Sequence, residues 1–325
     1  MIIEYQKLRF IMEAVDEIHL PYYKGSAFRG GFGNIFRKIV CVLKRENCAE
    51  CILKSKCIYA YVFETSPPES SRLMNMNKYE KIPHPFVIEP PEIDSQKPGS
   101  KVHAPGSKFE FQLILIGKAI DYLPYFIYTF YELGKTGIGK GRGRYKILRV
   151  LKLKKDKKDW LDDACVYSYE NETVKQLPHD KIVISEEFNP VGKDTAVTLH
   201  FTTPLRIKYQ RDLVVNPEFH IIIRSLLRRL LLLYYFHCEE NVPRWNHKDI
   251  INHAENVVIK SSNLKWFDWE RYSSRQNTRM KLGGLIGSIT YFGMIEPFLP
   301  LLSAGEILHL GKNTSFGLGK YHLSS

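Results

Sequence analysis

Acidic residues are the first shortage in this sequence. Thirty-five Asp and Glu face 47 Lys and Arg, a formal charge of +12 over 325 residues. A chain this basic often meets a polyanion, of which nucleic acid is the commonest, although a basic surface without such a partner stays open. Long apolar runs are missing too. The most apolar stretch, Phe219 to Phe236, is interrupted by Arg224, Arg228 and Arg229, which excludes it as a membrane span. The N-terminus, MIIEYQKLRFIMEA, has neither the basic-then-apolar form of a signal peptide nor that of a transit peptide. Cysteine is scarce, and four of the six crowd between Cys41 and Cys57, a pattern suited to a metal rather than to a disulfide framework. These absences lead us to expect a cytoplasmic protein with no membrane association. With 44% apolar and 25% charged residues, a packed globular chain is expected rather than a disordered one.

What is present is a plan written twice. Ile2 to Val15 roughly alternates and reads as a strand, and from Ser26 the spacing of Phe28, Phe32, Ile35, Phe36, Ile39 and Leu43 predicts a helix. Gly30, Gly31 and Gly33 weaken that helix locally, which implies close approach by another backbone or a ligand. Thr65 to Ser107 reads as loop, with one short strand at Phe86 to Ile88. Strand Lys108 to Gly117 and helix Tyr122 to Leu133 follow, then a glycine loop and strand Tyr145 to Leu153. Lys154 to Asp194 is charged and poor in apolar runs. A strand from Val197, a helix over Pro217 to Phe236, strands between Val257 and Ile295, a short helix over Pro297 to Ala304, a second glycine loop and strand Tyr321 to Leu323 complete the chain. The order β-α-β-β-α-β occurs twice, predicting an α+β fold of tandem ferredoxin-like domains. The expected boundaries are 1–155, a linker at 156–194, and 195–325.

The two loops are GKTGIGKGRGRYKI, from Gly134 to Ile147, and GKNTSFGLGKYHL, from Gly311 to Leu323. Neither fits a nucleotide-binding fingerprint. A P-loop ending at Lys135-Thr136 needs glycine where Thr129 stands, and the dinucleotide pattern needs glycine where Arg142 and His322 stand. Exposed backbone N–H groups remain, flanked by Lys135, Lys140, Arg142 and Arg144 in one loop and by Lys312, Asn313, Ser315 and Lys320 in the other. Such surfaces suit a phosphate chain without reading its sequence. A tight turn needs one or two of these glycines, not four with four cations. His220, Arg224 and Arg228, at i, i+4 and i+8, form one stripe that serves RNA contact or simple solvation equally well.

These residues resemble a known family. Two ferredoxin-like units, each ending in a glycine-rich loop, are similar to the RAMP superfamily of CRISPR-associated proteins. GEILHLGKNTSFGLGKY resembles the C-terminal signature of the Cas6 endoribonucleases that process precursor CRISPR RNA. YYKGSAFRGGFGNIFRKIVC, with the cysteines and YAYVFET after it, resembles a Cas6 branch carrying a cysteine cluster. The resemblance implies cleavage of CRISPR repeat RNA without a catalytic metal: the ribose 2′-OH attacks the adjacent phosphate, leaving a 2′,3′-cyclic phosphate and a 5′-hydroxyl. It also implies other CRISPR effector subunits as partners, and leaves a homodimer open.

Such a reaction needs a base, an acid and cations for the phosphorane charge. The family commonly places a histidine on or near the first helix, yet Ser26 to Val40 has none, and Asn34 cannot act as a base. His19 is the nearest histidine and the candidate for proton transfer, with Tyr22, Lys24, Arg29 and Arg37 as positioning or charge-stabilising groups; a solvated strand-end role for His19 has equal standing. His309 and His322 are weaker candidates. The missing histidine leaves a second reading, a non-cleaving RAMP subunit that holds guide RNA. Separately, Cys41-x6-Cys48-x2-Cys51-x5-Cys57 offers four thiolates with a knuckle spacing at Cys48/Cys51. Structural zinc is the first expectation and an iron–sulfur cluster the second.

Overall fold

A computed structural model describes residues 1–44, 47–48, 50–67, 82–91, 101–156, 159–268, 270–273 and 278–324. The chain divides into two compact units, Glu4–Asp180 and Lys181–Ser325, the latter with Met1–Ile3.

The first unit contains β1 (Ile2–Ala14), β2 (Ile18–Leu20), α1 (Gly25–Val40), a π-helical turn at Ala60–Glu64, β3 (Phe86–Glu89), β4 (Lys101–His103), β5 (Lys108–Ile116), α2 (Leu123–Thr136), β6 (Tyr145–Asp156) and β7 (Asp159–Ser168). Its main sheet runs β3-β5-β1-β6-β7 and is antiparallel throughout, while β2 and β4 pair separately. Counting β1, β3, β5 and β6 as the four strands of a βαββαβ unit, the order is second-third-first-fourth, the ferredoxin-like order. The period of two puts Leu8, Phe10 and Met12 of β1 on the helix side, all fully buried. There Phe10 stacks on Phe111 at 4.6 Å and Phe32 on Phe126 at 4.9 Å. Such ring pairs each add about 0.5–1.5 kcal/mol beyond the area they bury.

Gly31 and Gly33 of α1 make room for side chains rather than for another backbone or a ligand, while a Cβ on Gly30 would meet nothing within 4 Å. A Cβ on Gly33 would lie 2.1 Å from the Phe63 ring, and one on Gly31 would lie 2.9 Å from Leu133. The helix gives up local propensity so that the ring of the π-turn and α2 can sit against it.

After β8 (Asp180–Val183), the second unit contains β9 (Thr195–Leu205), the short hairpin β10 (Lys208–Tyr209) and β11 (Asp212–Leu213), α3 (Phe219–His237), α4 (His247–Glu255), β12 (Val258–Phe267), β13 (Glu270–Ser273), β14 (Thr278–Lys281), β15 (Gly284–Gly293), α5 (Leu299–Leu308) and β16 (Tyr321–Ser324). Its sheet runs β12-β15-β9-β16, again antiparallel and again second-third-first-fourth. No helix among the described residues is long and apolar enough to cross a membrane.

Besides the π-turn and the short strands β2, β4, β8, β10 and β11, two longer elements are absent from the sequence reading. β7 lies in the charged stretch read as linker: it pairs with β6 on one side only, so most of its first residues face water and show no apolar alternation. α4 is short and amphipathic, capped by the Asn246 side chain on the Asp249 N–H, and buries only Ile250, Ile251 and Ala254. The division after Asp180 falls within 156–194. Of the loop read over Thr65 to Ser107, residues 68–81 and 92–100 lie outside the described residues.

Candidate functional site

Both glycine loops are built the same way. In the first unit α2 ends at Thr136, and the loop returns against the segment that follows β1. Lys140 donates its backbone N–H to the His19 carbonyl at 2.9 Å. The glycine before it, Gly139, has φ +78°, and a Cβ there would lie 2.2 Å from that same carbonyl oxygen. In the second unit α5 ends at Leu308, and Lys312 donates its N–H to the Arg206 carbonyl at 2.8 Å. The glycine before it, Gly311, would place a Cβ 2.5 Å from the Arg206 oxygen. Lys140 and Lys312 are therefore equivalent positions, as are His19 and Arg206.

This corrects part of the sequence reading of the loops. Most glycines are there because the protein's own carbonyls press against them, not because a phosphate chain must. Gly141 is the exception in the first loop: its φ is +82°, but a Cβ there would meet nothing within 4 Å. The loops still present cations, but fewer than four each. Arg144 is held by Asp16 through two side-chain hydrogen bonds of 2.7 and 3.1 Å, and these bonds keep the Asp16 carboxyl below its ordinary range. Lys135 bonds Glu132 at 2.9 Å. Lys140 and Arg142 are exposed and make no ion pair among the described residues.

Next to this loop stands the side chain of His19, 43% exposed, with Nε2 2.6 Å from Glu17 Oε1. A carboxylate only accepts, so Nε2 carries the proton and Nδ1 is the atom left for proton transfer. Glu17 thus fixes the tautomer, as an orienting carboxylate does in acid–base sites.

The other residues expected beside His19 are placed differently. Lys24, at the N-cap of α1, is 3% exposed and faces the interior of its unit, so it is withdrawn from a substrate-facing role. Tyr22 is half-buried. Arg29 lies with its guanidinium 3.9 Å from the Phe63 ring centroid and its Nη2 3.0 Å from His84 Nε2. Arg37 stands over Tyr59 at 5.6 Å. Both arginines are thus engaged by the π-turn segment. Asn34 is exposed on α1.

His84 was missed because it lies in a segment read as loop; the apolar run directly after it was the available signal. Arg29 only donates, so His84 Nε2 accepts and Nδ1 donates to Thr65 Oγ1 at 3.0 Å. The ring stacks between Phe63 and Phe86, at 6.1 and 5.6 Å.

In the second unit the cations gather more densely. Lys312 is pushed below its ordinary range, first by burial and then by Lys208, Arg206 and Arg228. Of these, Arg206 and Lys208 were missed: Arg206 directly follows β9 and Lys208 opens β10, and the closeness of this segment to the C-terminal loop is a tertiary fact. Arg224 is drawn elsewhere, to Glu255 at 2.9 Å and His220 at 3.2 Å, so the helix stripe divides and only Arg228 joins the loop's field. Asn313 takes the left-handed conformation at φ +62° and starts the turn Thr314–Phe316. Ser315 is 4% exposed and is withdrawn as an RNA contact, because that turn points it inward. Lys320 joins the loop to β9 through its N–H on Thr203 Oγ1 at 2.8 Å.

Buried Arg229 fixes the start of this loop. It donates to the Leu308 carbonyl at 2.7 and 3.2 Å and to the His309 carbonyl at 3.0 Å, satisfying the last carbonyls of α5. His309 is fully buried with Nδ1 3.0 Å from the Leu318 carbonyl, which removes it as a catalytic candidate. His322 remains exposed, directly opposite His200 across the β9–β16 pair.

All four clustered cysteines are free thiols of intermediate exposure. Burial pushes the Cys48 thiol up, Arg37 lowers it, and Glu64, Cys41 and Cys57 raise it, so three of the thiols share one local field. The Cys51 N–H donates to the Cys48 carbonyl at 3.4 Å. The donor chemistry fits zinc, but among the described residues no three Cys, His, Asp or Glu side chains form a metal-holding group.

Comparison with known proteins agrees with this architecture. A family described as an N-terminal domain matches residues 3–179, and the family of the CRISPR-associated endoribonuclease Cas6 matches residues 199–321. An uncharacterized protein of Archaeoglobus fulgidus is 25% identical over 316 residues, covering 95% of this chain and 94% of that one. A CRISPR-associated endoribonuclease Cas6 of Streptococcus thermophilus is 26% identical over 160 residues, 49% of this chain and 62% of that one. Among solved structures, a product complex of Thermus thermophilus Cas6 superposes with a TM-score of 0.53 at 14% identity, covering 98% of this chain and all of that one. A partial Cas6-RT-Cas1–Cas2 complex gives 0.53 at 13%, covering 99% of this chain and 46% of that one. At those identities the structures speak for the fold. Residues 3–179 thus belong to the first of these families and residues 199–321 to the family of the CRISPR-associated endoribonuclease Cas6, on a doubled ferredoxin-like fold.

Proposed function

We propose that this protein matures CRISPR RNA by binding the repeat of the precursor and cutting it once through 2′-OH attack, giving 2′,3′-cyclic phosphate and 5′-hydroxyl ends. The observation that carries this is the repeated loop construction. In each unit a Gly-Lys pair is pinned by its backbone to the segment that follows the first strand, so the base of its cationic side chain stands at a fixed place. Lys140 and Arg142 in one unit, and Arg206, Lys208, Arg228 and Lys312 in the other, supply positive charge for a phosphate backbone.

His19, oriented by Glu17, is the proposed proton-transfer residue, and its Nδ1 takes or gives the proton. The backbone bond from Lys140 holds His19 and the loop cations in one place, so phosphate binding and proton transfer share a neighbourhood. The reading requires no catalytic metal, since the nucleophile is the RNA's own hydroxyl. Cys41, Cys48, Cys51 and Cys57 are proposed to hold one structural zinc.

The absence of histidine from α1, where Asn34 stands exposed at mid-helix, favours a second reading: a RAMP subunit that binds guide RNA without cutting it. Incubation with cognate repeat RNA in EDTA separates the two. A single cut, abolished when the scissile 2′-OH is replaced by hydrogen, supports the nuclease; binding with no cut supports the subunit. Cleavage of the 2′-deoxy substrate would sink the proposed chemistry.

A further inference from the structure

Helix α2 buries Leu123, Phe126, Ile127, Phe130 and Leu133 in the core of the first unit. Its other face should, by ordinary patterning, carry charged side chains. It carries tyrosines, with one charged pair, Glu132 and Lys135, toward its end. Tyr125 is 42% exposed and Tyr128 is 49% exposed, with half-buried Tyr122 and Tyr131 beside them.

The rings meet in two pairs along the helix. Tyr122 meets Tyr125 edge-on at 6.4 Å, and Tyr128 stacks with Tyr131 at 6.2 Å. Lys135 Nζ then lies 4.2 Å from the centre of the Tyr131 ring, and the helix ends one residue later in the first glycine loop. Residues three apart are neighbours on a helix surface, and each step rises about 4.5 Å along the axis. The result is two exposed rings, Tyr125 and Tyr128, each packed against a half-buried one, on the helix that runs into the loop bearing Lys140 and Arg142.

We infer that this tyrosine row is a stacking platform for bases of single-stranded RNA whose backbone lies along the first glycine loop. The inference rests on the RNA-binding reading above and names the part of that interface that grips bases. Two observations choose RNA over another occupant. The helix that carries the tyrosines runs directly into the loop that carries Lys140 and Arg142, so a strand whose phosphates meet those cations has its bases at the end of this helix. The rings also suit every base, since stacking uses the π-face rather than a hydrogen-bond code. Phenolic hydroxyls keep such rings tolerable in water when the RNA is absent.

The test compares the full-length chain with Tyr125→Ala/Tyr128→Ala and Tyr125→Phe/Tyr128→Phe, measuring repeat-RNA affinity at several salt concentrations and checking each fold by thermal melting. Because both positions are exposed, the variants should melt as the native chain does. The alanine pair should bind more weakly by about 5- to 150-fold for each base that was stacked. The phenylalanine pair should bind within about twofold of native, since stacking resides in the ring. The slope of log K against log salt should be unchanged, since no phosphate contact is lost. An alanine pair that binds RNA as the native chain does overturns the platform while leaving the RNA-binding reading intact. If that pair also loses self-association on sizing, the face belongs to a second copy of the chain. A phenylalanine pair as weak as the alanine pair also overturns it, by giving the effect to the hydroxyls. A native chain that binds no repeat RNA takes down both readings together.

Discussion

Lys140 donates its backbone N–H to the carbonyl of His19, 121 residues earlier, at 2.9 Å. That bond ties the residue proposed to move the proton to the loop proposed to hold the phosphate. It depends on Gly139, which lets the two backbones approach. Gly139→Ala must both occupy φ +78° and displace the His19 carbonyl, whereas Gly141→Ala meets open space and only the backbone strain. We expect Gly139→Ala to lose about 1–3 kcal/mol of stability and Gly141→Ala no more than about 1 kcal/mol. Urea unfolding of the two variants measures the difference, and equal losses would remove the contact from the account.

His19→Ala should slow single-turnover cleavage about 10²–10⁴-fold while RNA affinity holds. Glu17→Gln keeps a hydrogen-bonding partner but no longer dictates which ring nitrogen carries the proton, so it should slow cleavage less than His19→Ala does. Full-rate cutting by His19→Ala would place the chemistry elsewhere.

Lys312 should make RNA binding pH-dependent. Burial and three neighbouring cations favour its neutral form, so it gives up its proton at lower pH than an ordinary lysine. The charged form binds phosphate, so its contribution is complete at low pH and is lost as pH rises through the depressed value. Lys312→Arg should carry full affinity to higher pH, and Lys312→Ala should flatten the salt slope by roughly one phosphate contact. Identical pH profiles for the native and arginine chains would count against this.

Aerobically purified protein should contain about one zinc per chain, released on chelation and absent after Cys48→Ser/Cys51→Ser. A brown protein with iron and sulfide in place of zinc would instead assign the thiols to an iron–sulfur cluster.

Arg229 makes the C-terminal loop a stability element. Arg229→Met leaves the buried Leu308 and His309 carbonyls unsatisfied and should cost about 2–4 kcal/mol, visible as a lower midpoint in denaturant. A loss below about 0.5 kcal/mol would mean that water replaces the guanidinium without penalty.

The sequence by itself determined the repeated βαββαβ order, because apolar residues at periods of 2 and 3.6 are set locally by which face each element must bury. It also determined that two Gly-Lys loops close the units, since the glycines and cations are adjacent in the chain. It did not show β7, whose single pairing partner leaves no alternation to read, nor why Gly33 is glycine, which required the ring of Phe63 to arrive from thirty residues away. Only the tertiary structure decided which residues belong to the candidate site. It brought Lys140 onto His19 and Lys312 onto Arg206, gave Arg144 to Asp16, turned Lys24 and Ser315 inward, and placed His84 against Arg29. A cation's role depends on what stands within a few ångströms of it. That distance is fixed by strand pairing and packing between segments far apart in the chain, for which the local pattern carries no signal.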